Sequence, residues 1–249
     1  MNNITDSVKA RLRNLARKEK KDYVLITRLY MQEGILRRIG KSKYSESFCL
    51  KGGLLLYSIS GFTSRPTMDL DLLGINIPSG EDKFRSILTE ILSIEAADGL
   101  VFDTDSLKLQ EIIEGADYHG QQLKVLCRLG SIRTNLKLDI GFGDTIYPGP
   151  VQMEYPALLE TDPIKISAYS LESVIAEKFD AMIVLDARNS RMKDFYDIYD
   201  ILTNHRIDQA ILEEAIRLTI NTRRTILPEA PAIFQDAFSS DPRNQQLWN

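Results

Sequence analysis

The chain has only two cysteines and two histidines among its 249 residues, and it contains no apolar run long enough to cross a bilayer. Each scarcity removes a class of protein. Cys49 and Cys127 sit in the apolar stretches SFCLKGG and KVLCRLG, where a thiol packs as a small hydrophobe, so inert buried thiols are expected and a disulfide is not. His119 and His205 are isolated, which argues against a histidine-rich zinc site and against a histidine-based nucleophilic triad. The opening MNNITDSVKARLRNLARKEKK has no apolar signal-peptide core. No membrane partner is therefore expected, and the cytoplasm is the expected compartment. There is no internal repeat, and only the Pro/Ser/Asp-rich tail from Leu227 is weakly patterned.

What is present is apolar residue in ordinary amount, 43%, enough to bury a substantial core in one large or two modest domains. The net charge of −4 is unevenly spread. Residues 1–43 carry twelve Lys/Arg against four Asp/Glu, or +8, which leaves −12 for the rest. A basic arm precedes an acidic body. Within the arm, Lys18, Lys20 and Lys21 follow Lys9, Arg11, Arg13 and Arg17 closely enough to share about four helical turns. Guidance of a polyanion such as RNA explains this, and so does a solvated helix face; the sequence leaves both open.

Apolar periodicity predicts two N-terminal helices, with Val8, Leu12 and Leu15 in the first and Leu25, Leu29 and Leu36 in the second. KGGLLLYSI (51–59) reads as a buried helix entered through two glycines, MDLDLLG (68–74) as a strand, and residues 83–94 as an amphipathic helix. LKLQEII (107–113), QLKVLCRLG (122–130) and TNLKLDIGFG (134–143) read as strands. Beyond the YPGP turn at 147–150 the pattern is mostly helical, at 170–185, 190–202 and 209–220. The fold class expected is α+β.

In SRPTMDLDLLG (64–74), Asp69 and Asp71 stand two apart on the expected strand. Their side chains then share a face roughly 6.6 Å apart, and like charges that close repel unless water or a cation lies between them. In TNLKLDIGFGD, Leu136, Leu138, Ile140 and Phe142 take one face and Asp139 the other. Three carboxylates from neighbouring strands can coordinate Mg²⁺, a hard cation that usually keeps waters and substrate phosphates. A solvent-facing polar edge and the D-x-D metal site of a glycosyltransferase remain alternatives. A calcium loop does not, because Leu73 and Gly80 stand where it needs ligands. Lys51-Gly52-Gly53 before an apolar helix suits a phosphate approaching backbone N–H groups, or a tight turn. Lys178 falls in the middle of an apolar stripe of Leu171, Val174, Ile175, Met182 and Leu185, where it either grips an anion or snorkels to solvent. Asp194 and Asp197, beside Lys193, lie near the start of the next helix, where acids are also simply stabilising.

Four ordered stretches, FCLKGGLLLY with SRPTMDLDLLG, LKLDIGFGD, VIAEKFDAMI, and NSRMKDFYDIYDI, together resemble the AbiEii/AbiGii family of nucleotidyltransferase-like toxins of type IV toxin–antitoxin (abortive infection) systems, within the DNA polymerase β-like superfamily. The resemblance covers most of the chain. It implies a nucleotidyltransferase-like mixed sheet with flanking helices and a C-terminal helical lobe. The parts are then basic helices packed on the core at 1–45, the nucleotidyltransferase core at 46–155, and the lobe at 156–249. It further implies an NTP co-substrate lined by Lys51, Gly52, Gly53, Arg65 and Lys178, and Mg²⁺ on Asp69 and Asp71, with Asp139 matching the third carboxylate. Lys178 and the pair Lys193-Asp194 complete the implied catalytic set. The implied reaction is transfer of NMP to an acceptor, RNA and first of all the 3′ end of tRNA. An antitoxin is implied genetically, without an obligate complex. A protein or small-molecule acceptor, and a non-catalytic nucleotide- or RNA-binding protein, are the rival readings. Gly53 departs from the superfamily's usual Gly-Ser, the interval from Gly53 to Asp69 is long, and similar proteins often continue past a stretch like QLWN (246–249).

Overall fold

The computed structural model describes residues 2–61, 67–78, 80–114, 118–159 and 162–248. They form two compact units, one of Met1–Gly143 with Val151–Ala168, the other of Asp144–Pro150 with Tyr169–Asn249.

The first unit is built on a mixed seven-stranded sheet in the order β3-β4-β5-β2-β1-β7-β6. Its strands are β1 (Phe48–Lys51), β2 (Leu70–Gly74), β3 (Leu100–Glu114), β4 (Tyr118–Leu129), β5 (Ile132–Phe142), β6 (Val151–Tyr155) and β7 (Ile164–Ala168). β3, β4 and β5 are a long antiparallel meander. β2 then runs parallel to β5 and antiparallel to β1, and β1 runs parallel to β7. Alternation decides which side of β5 is buried: Leu136, Leu138 and Ile140 are within 1% of full burial while Lys137 and Asp139 between them keep part of their surface.

Helices α1 (Asn2–Lys18), α2 (Tyr23–Lys41), α3 (Gly52–Ser60) and α4 (Glu81–Leu92) complete this unit. In α1, Val8, Leu12 and Ala16 are buried at four-residue spacing, so one stripe meets the core and the rest is free to be basic. α2 starts at Asp22, whose carboxylate accepts from the N–H groups of Val24 and Leu25. It is the central helix, packed against α1, α4, β5 and β7. That burial includes charges: Arg38 forms a two-pronged pair with Asp98 at 2.7 and 3.2 Å, and Arg37 pairs with Glu33, whose other oxygen accepts from the Leu158 N–H at 2.8 Å.

The second unit holds α5 (Leu171–Leu185), α6 (Met192–Asn204), α7 (Gln209–Arg223), α8 (Asp236–Ser240) and α9 (Pro242–Trp248). Its small core is Met182, Ile183 and Ile233 with Phe179, Phe195, Ile198 and Phe238 packed around them. Arg223 at the end of α7 reaches Asp144, Glu177 and Asp180 at 2.8–3.2 Å.

The mixed sheet with flanking helices matches the expected class. Three strands differ from the sequence reading: β1 precedes the glycines, and β6 and β7 lie beyond the YPGP turn, where helix was expected. All three have four or five residues, too short for alternation to separate a strand from a buried turn or helix end. Cys49 and Cys127 are free and fully buried, and burial pushes each thiol up to about 12. No helix of the described residues is long and apolar enough to cross a membrane.

Candidate active site

The strand order brings the sequence's separate motifs into one line. Lys51 of β1 pairs with Asp71 of β2, Asp71 with Asp139 of β5, and Asp139 with Gln122 of β4. Side chains that are lateral partners in a sheet leave the same face, about 4.8 Å apart from strand to strand. The Lys51–Asp71–Asp139–Gln122 row is therefore one polar strip on the sheet. Asp69 lies immediately before β2, where Gln32 of α2 donates to the Met68 carbonyl at 3.0 Å and Thr67 Oγ donates to the carbonyl of Asp69 at 3.2 Å.

The strip carries a cation of its own. Lys137 Nζ lies 2.8 Å from Asp139 Oδ2 and 3.8 Å from Asp69 Oδ1, and Gln122 donates to the other Asp139 oxygen at 3.0 Å. Its hydrogen bond to Asp139, then the charges of Asp139, Asp69 and Asp71, hold the ammonium above the usual lysine range, against a smaller opposing effect of burial. Neither Lys137 nor Gln122 is among the residues expected from sequence. Lys137 was readable, because the alternation that puts Asp139 on the polar face puts residue 137 there too.

At the start of α3, Gly52 has φ +67°, and a Cβ on it would fall 2.2 Å from Asp71 Oδ2. Only glycine lets the backbone come this close to the carboxylate while holding a left-handed φ. Lys51, the residue before the helix, is 6% exposed and gives α3 no side-chain cap. Gly53 is buried in the first turn. Arg65 lies outside the described residues.

In the second unit, the ammonium of Lys178 lies 2.9 Å from Asp194 and 2.7 Å from Asp197. Both carboxylates are at most 3% exposed, and Arg191 reaches the second oxygen of Asp194 at 2.7 Å. Lys178 thus neither snorkels nor stands alone: two acids one helical turn apart on α6 share it. Asp197, which the sequence left open together with Asp194 and the resemblance did not include, is as much part of this group as Asp194. Lys193 is exposed, since successive helix residues turn by 100° and cannot share the buried face.

The basic arm divides. Lys9 pairs with Asp6 at 2.8 Å, Arg13 lies over the Tyr23 ring, and Arg11 lines a cavity of about 310 Å³ with Tyr30, Arg37 and Asp98. Lys18 and Lys20 are exposed, and Lys21 is half-buried.

In chemical type, three carboxylates on one strip suit a hard divalent cation. In arrangement they do not close around one: among the described residues no three His, Cys, Asp or Glu side chains converge closely enough to hold an ion. The Lys137 ammonium is seated on Asp139 and neutralises that carboxylate.

The family model described as nucleotidyl transferase AbiEii toxin, type IV TA system, matches residues 34–249. No curated protein matches the sequence. Among solved structures, MenT4, a nucleotidyltransferase toxin of Mycobacterium tuberculosis H37Rv, is similar with a TM-score of 0.54 at 14% identity, covering 95% of this chain and 87% of that one. A Helicobacter pylori protein assigned as a nucleotidyltransferase is similar with a TM-score of 0.51 at 12% identity, covering 91% and 92%. At such identity these two likenesses are of fold.

Proposed function

The chain belongs to the AbiEii family of nucleotidyltransferase toxins of type IV toxin–antitoxin systems, and on that premise we propose that it transfers NMP from an NTP to RNA, with the 3′ end of tRNA as acceptor. The observation that carries this reading is the lateral pairing of Asp71 with Asp139 on adjacent parallel strands, with Lys51-Gly52-Gly53 opening a helix beside Asp71. An acceptor hydroxyl oxygen attacks the α-phosphorus, the bond from that phosphorus to the β-bridging oxygen breaks, and pyrophosphate leaves. The hydroxyl's proton passes to a carboxylate, for which we assign Asp139. Backbone N–H groups at Gly52 and Gly53, with Lys51 and Arg65, receive the triphosphate. Asp69, Asp71 and Asp139 are the residues that would hold Mg²⁺, which when bound neutralises charge on the triphosphate.

The proposal extends to Lys178, Lys193 and Asp194 as residues of the same reaction. Asp194 and Asp197 outweigh the charge of Lys178, so what this ammonium offers a reacting group is a positioned N–H donor that needs no reorganisation. Work on tRNA sets the place of action in the cytoplasm, as part of an abortive-infection response. A cognate antitoxin is expected to neutralise it without an obligate complex.

The test incubates the purified protein with each α-labelled NTP, Mg²⁺, total RNA and total protein. Label is expected in a tRNA-sized RNA, absent with Asp71→Asn, and expression in a naive bacterial host is expected to arrest growth unless Asp71 is replaced. Label in protein would move the acceptor to that class. Label in neither, from a folded protein, would overturn the transferase reading.

A further inference from the structure

We propose that Lys137 is the resident counter-cation of the carboxylate strip and competes with the divalent cation for Asp139, so that loading of the site is an exchange of ammonium for metal. This rests on the metal-binding reading above and specifies what Lys137 does when a metal enters the strip.

Three observations converge on it. First, the strip places Asp71 and Asp139 side by side, with Asp69 two residues before Asp71. Carboxylates at such spacing repel one another, and a positive charge near them relieves that repulsion. Second, Lys137 supplies it from the same strand as Asp139, at 2.8 Å from Asp139 and 3.8 Å from Asp69, so the charge is tethered and always available. Third, Asp139 has both oxygens occupied, one by Lys137 and one by Gln122. Each oxygen keeps a second lone pair, so a metal can reach Asp139 beside these partners, but it then stands within a few Å of the ammonium, the partner whose departure removes electrostatic repulsion toward the entering cation. The lysine side chain is 35% exposed and carried on four methylenes, so it can swing to water without disturbing β5.

This exchange has a cost and a use. It weakens the site for metal alone, because the ion displaces a cation already in place. It also keeps the strip from being an unneutralised cluster of acids when no metal is bound. Metal arriving with a triphosphate brings negative charge of its own, and the displaced ammonium then has a new anion within its reach.

The experiment measures binding of Mn²⁺ alone, which takes the same hard-oxygen ligands as Mg²⁺, by the electron paramagnetic resonance of the free ion, in the absence of nucleotide. Removing a charge about 3–4 Å from a ligand, partly screened by water, corresponds to about tenfold in affinity. Lys137→Gln is expected to bind Mn²⁺ about tenfold more tightly than wild type and to melt lower than wild type in chelator. Lys137→Arg, which keeps the charge, is expected to stay close to wild type in both. In wild-type protein the Lys137 ¹⁵Nζ resonance is expected to shift as Mg²⁺ is added, a readout independent of whether the glutamine variant folds. Equal Mn²⁺ affinity in wild type and Lys137→Gln, or an unmoved ¹⁵Nζ resonance under saturating Mg²⁺, would overturn the exchange while leaving the metal reading intact. No Mn²⁺ binding by either protein would overturn both.

Discussion

Gly52 shows how much one hydrogen atom in place of a methyl can decide. Its φ of +67° puts an ordinary side chain in the left-handed region, and its missing Cβ makes room for the Asp71 carboxylate. Gly52→Ala therefore meets two obstacles together, a backbone conformation costing about 1–2 kcal/mol for an L-residue and a clash that the carboxylate must move to relieve. The expected result is a lower melting temperature, by about 2–4 °C per kcal/mol of destabilisation in a chain of this size. Loss of nucleotide binding is expected as well, read by calorimetry with NTP and Mg²⁺; an alanine variant with wild-type melting and affinity would show that neither obstacle matters. The glycine pair was legible as a turn or phosphate approach. That its neighbour would be Asp71 was not, because the antiparallel register of β1 on β2 is a tertiary fact with no local signature.

Among the elements, α2 is the one whose character sequence conveyed least. Its apolar stripe was visible, but nothing in its periodicity marks Glu33, Arg37 and Arg38 as interior, where they lie. Their partners, Asp98 and the Leu158 N–H, come from distant segments that no helical period reveals. Arg38→Met keeps the stem and removes the guanidinium, leaving the Asp98 carboxylate buried without it, and is expected to destabilise by about 3–5 kcal/mol in urea unfolding. Adding Asp98→Asn should restore part of that stability. Glu33 gives the helix a pH dependence. Burial, outweighing the Leu158 and Arg37 hydrogen bonds, raises its carboxyl above the ordinary value of 4.5. The folded protein then holds this proton more tightly than the unfolded chain does, so the contribution is fullest below pH 4.5 and falls as pH rises through the elevated value. The melting temperature of wild type minus that of Glu33→Gln is expected to decline across that range; a difference that grows with pH would mean that the folded state favours the ionised carboxylate instead.

At the scale of the whole molecule, the charge asymmetry between residues 1–43 and the remainder sets how a polyanion meets the protein. Lys9 is engaged with Asp6 and Arg13 with Tyr23, while Lys18, though 3.8 Å from Glu19, is well exposed, so Lys18, Lys20 and Lys21 are the set to replace. Their joint change to Gln is expected to weaken RNA binding and to lower the log–log salt slope by roughly 0.7–0.9 for each phosphate that is no longer neutralised, with NTP affinity unchanged. Wild-type affinity and slope would make the arm a solvated face. At this scale alternation, a local property, conveyed the strands and the polar face carrying Asp69, Asp71 and Asp139, while the mixed sheet came from the family resemblance. It did not convey the extent of the sheet, because β7 is recognisable as a strand only once β1 lies beside it. That pairing has a consequence for how the protein is made. β1 is inserted between β2 and β7, with Cys49 opposite Ser167, so a chain emerging from the ribosome carries one open edge of β1 until residues 164–168 have followed it out. Synthesis halted near residue 150 would release a sheet with an unpaired inner strand, a template for aggregation. The strip of carboxylates hangs from that same strand through Lys51 and Asp71, so a cell making this protein meets its finished sheet only once Ile164–Ala168 has been made.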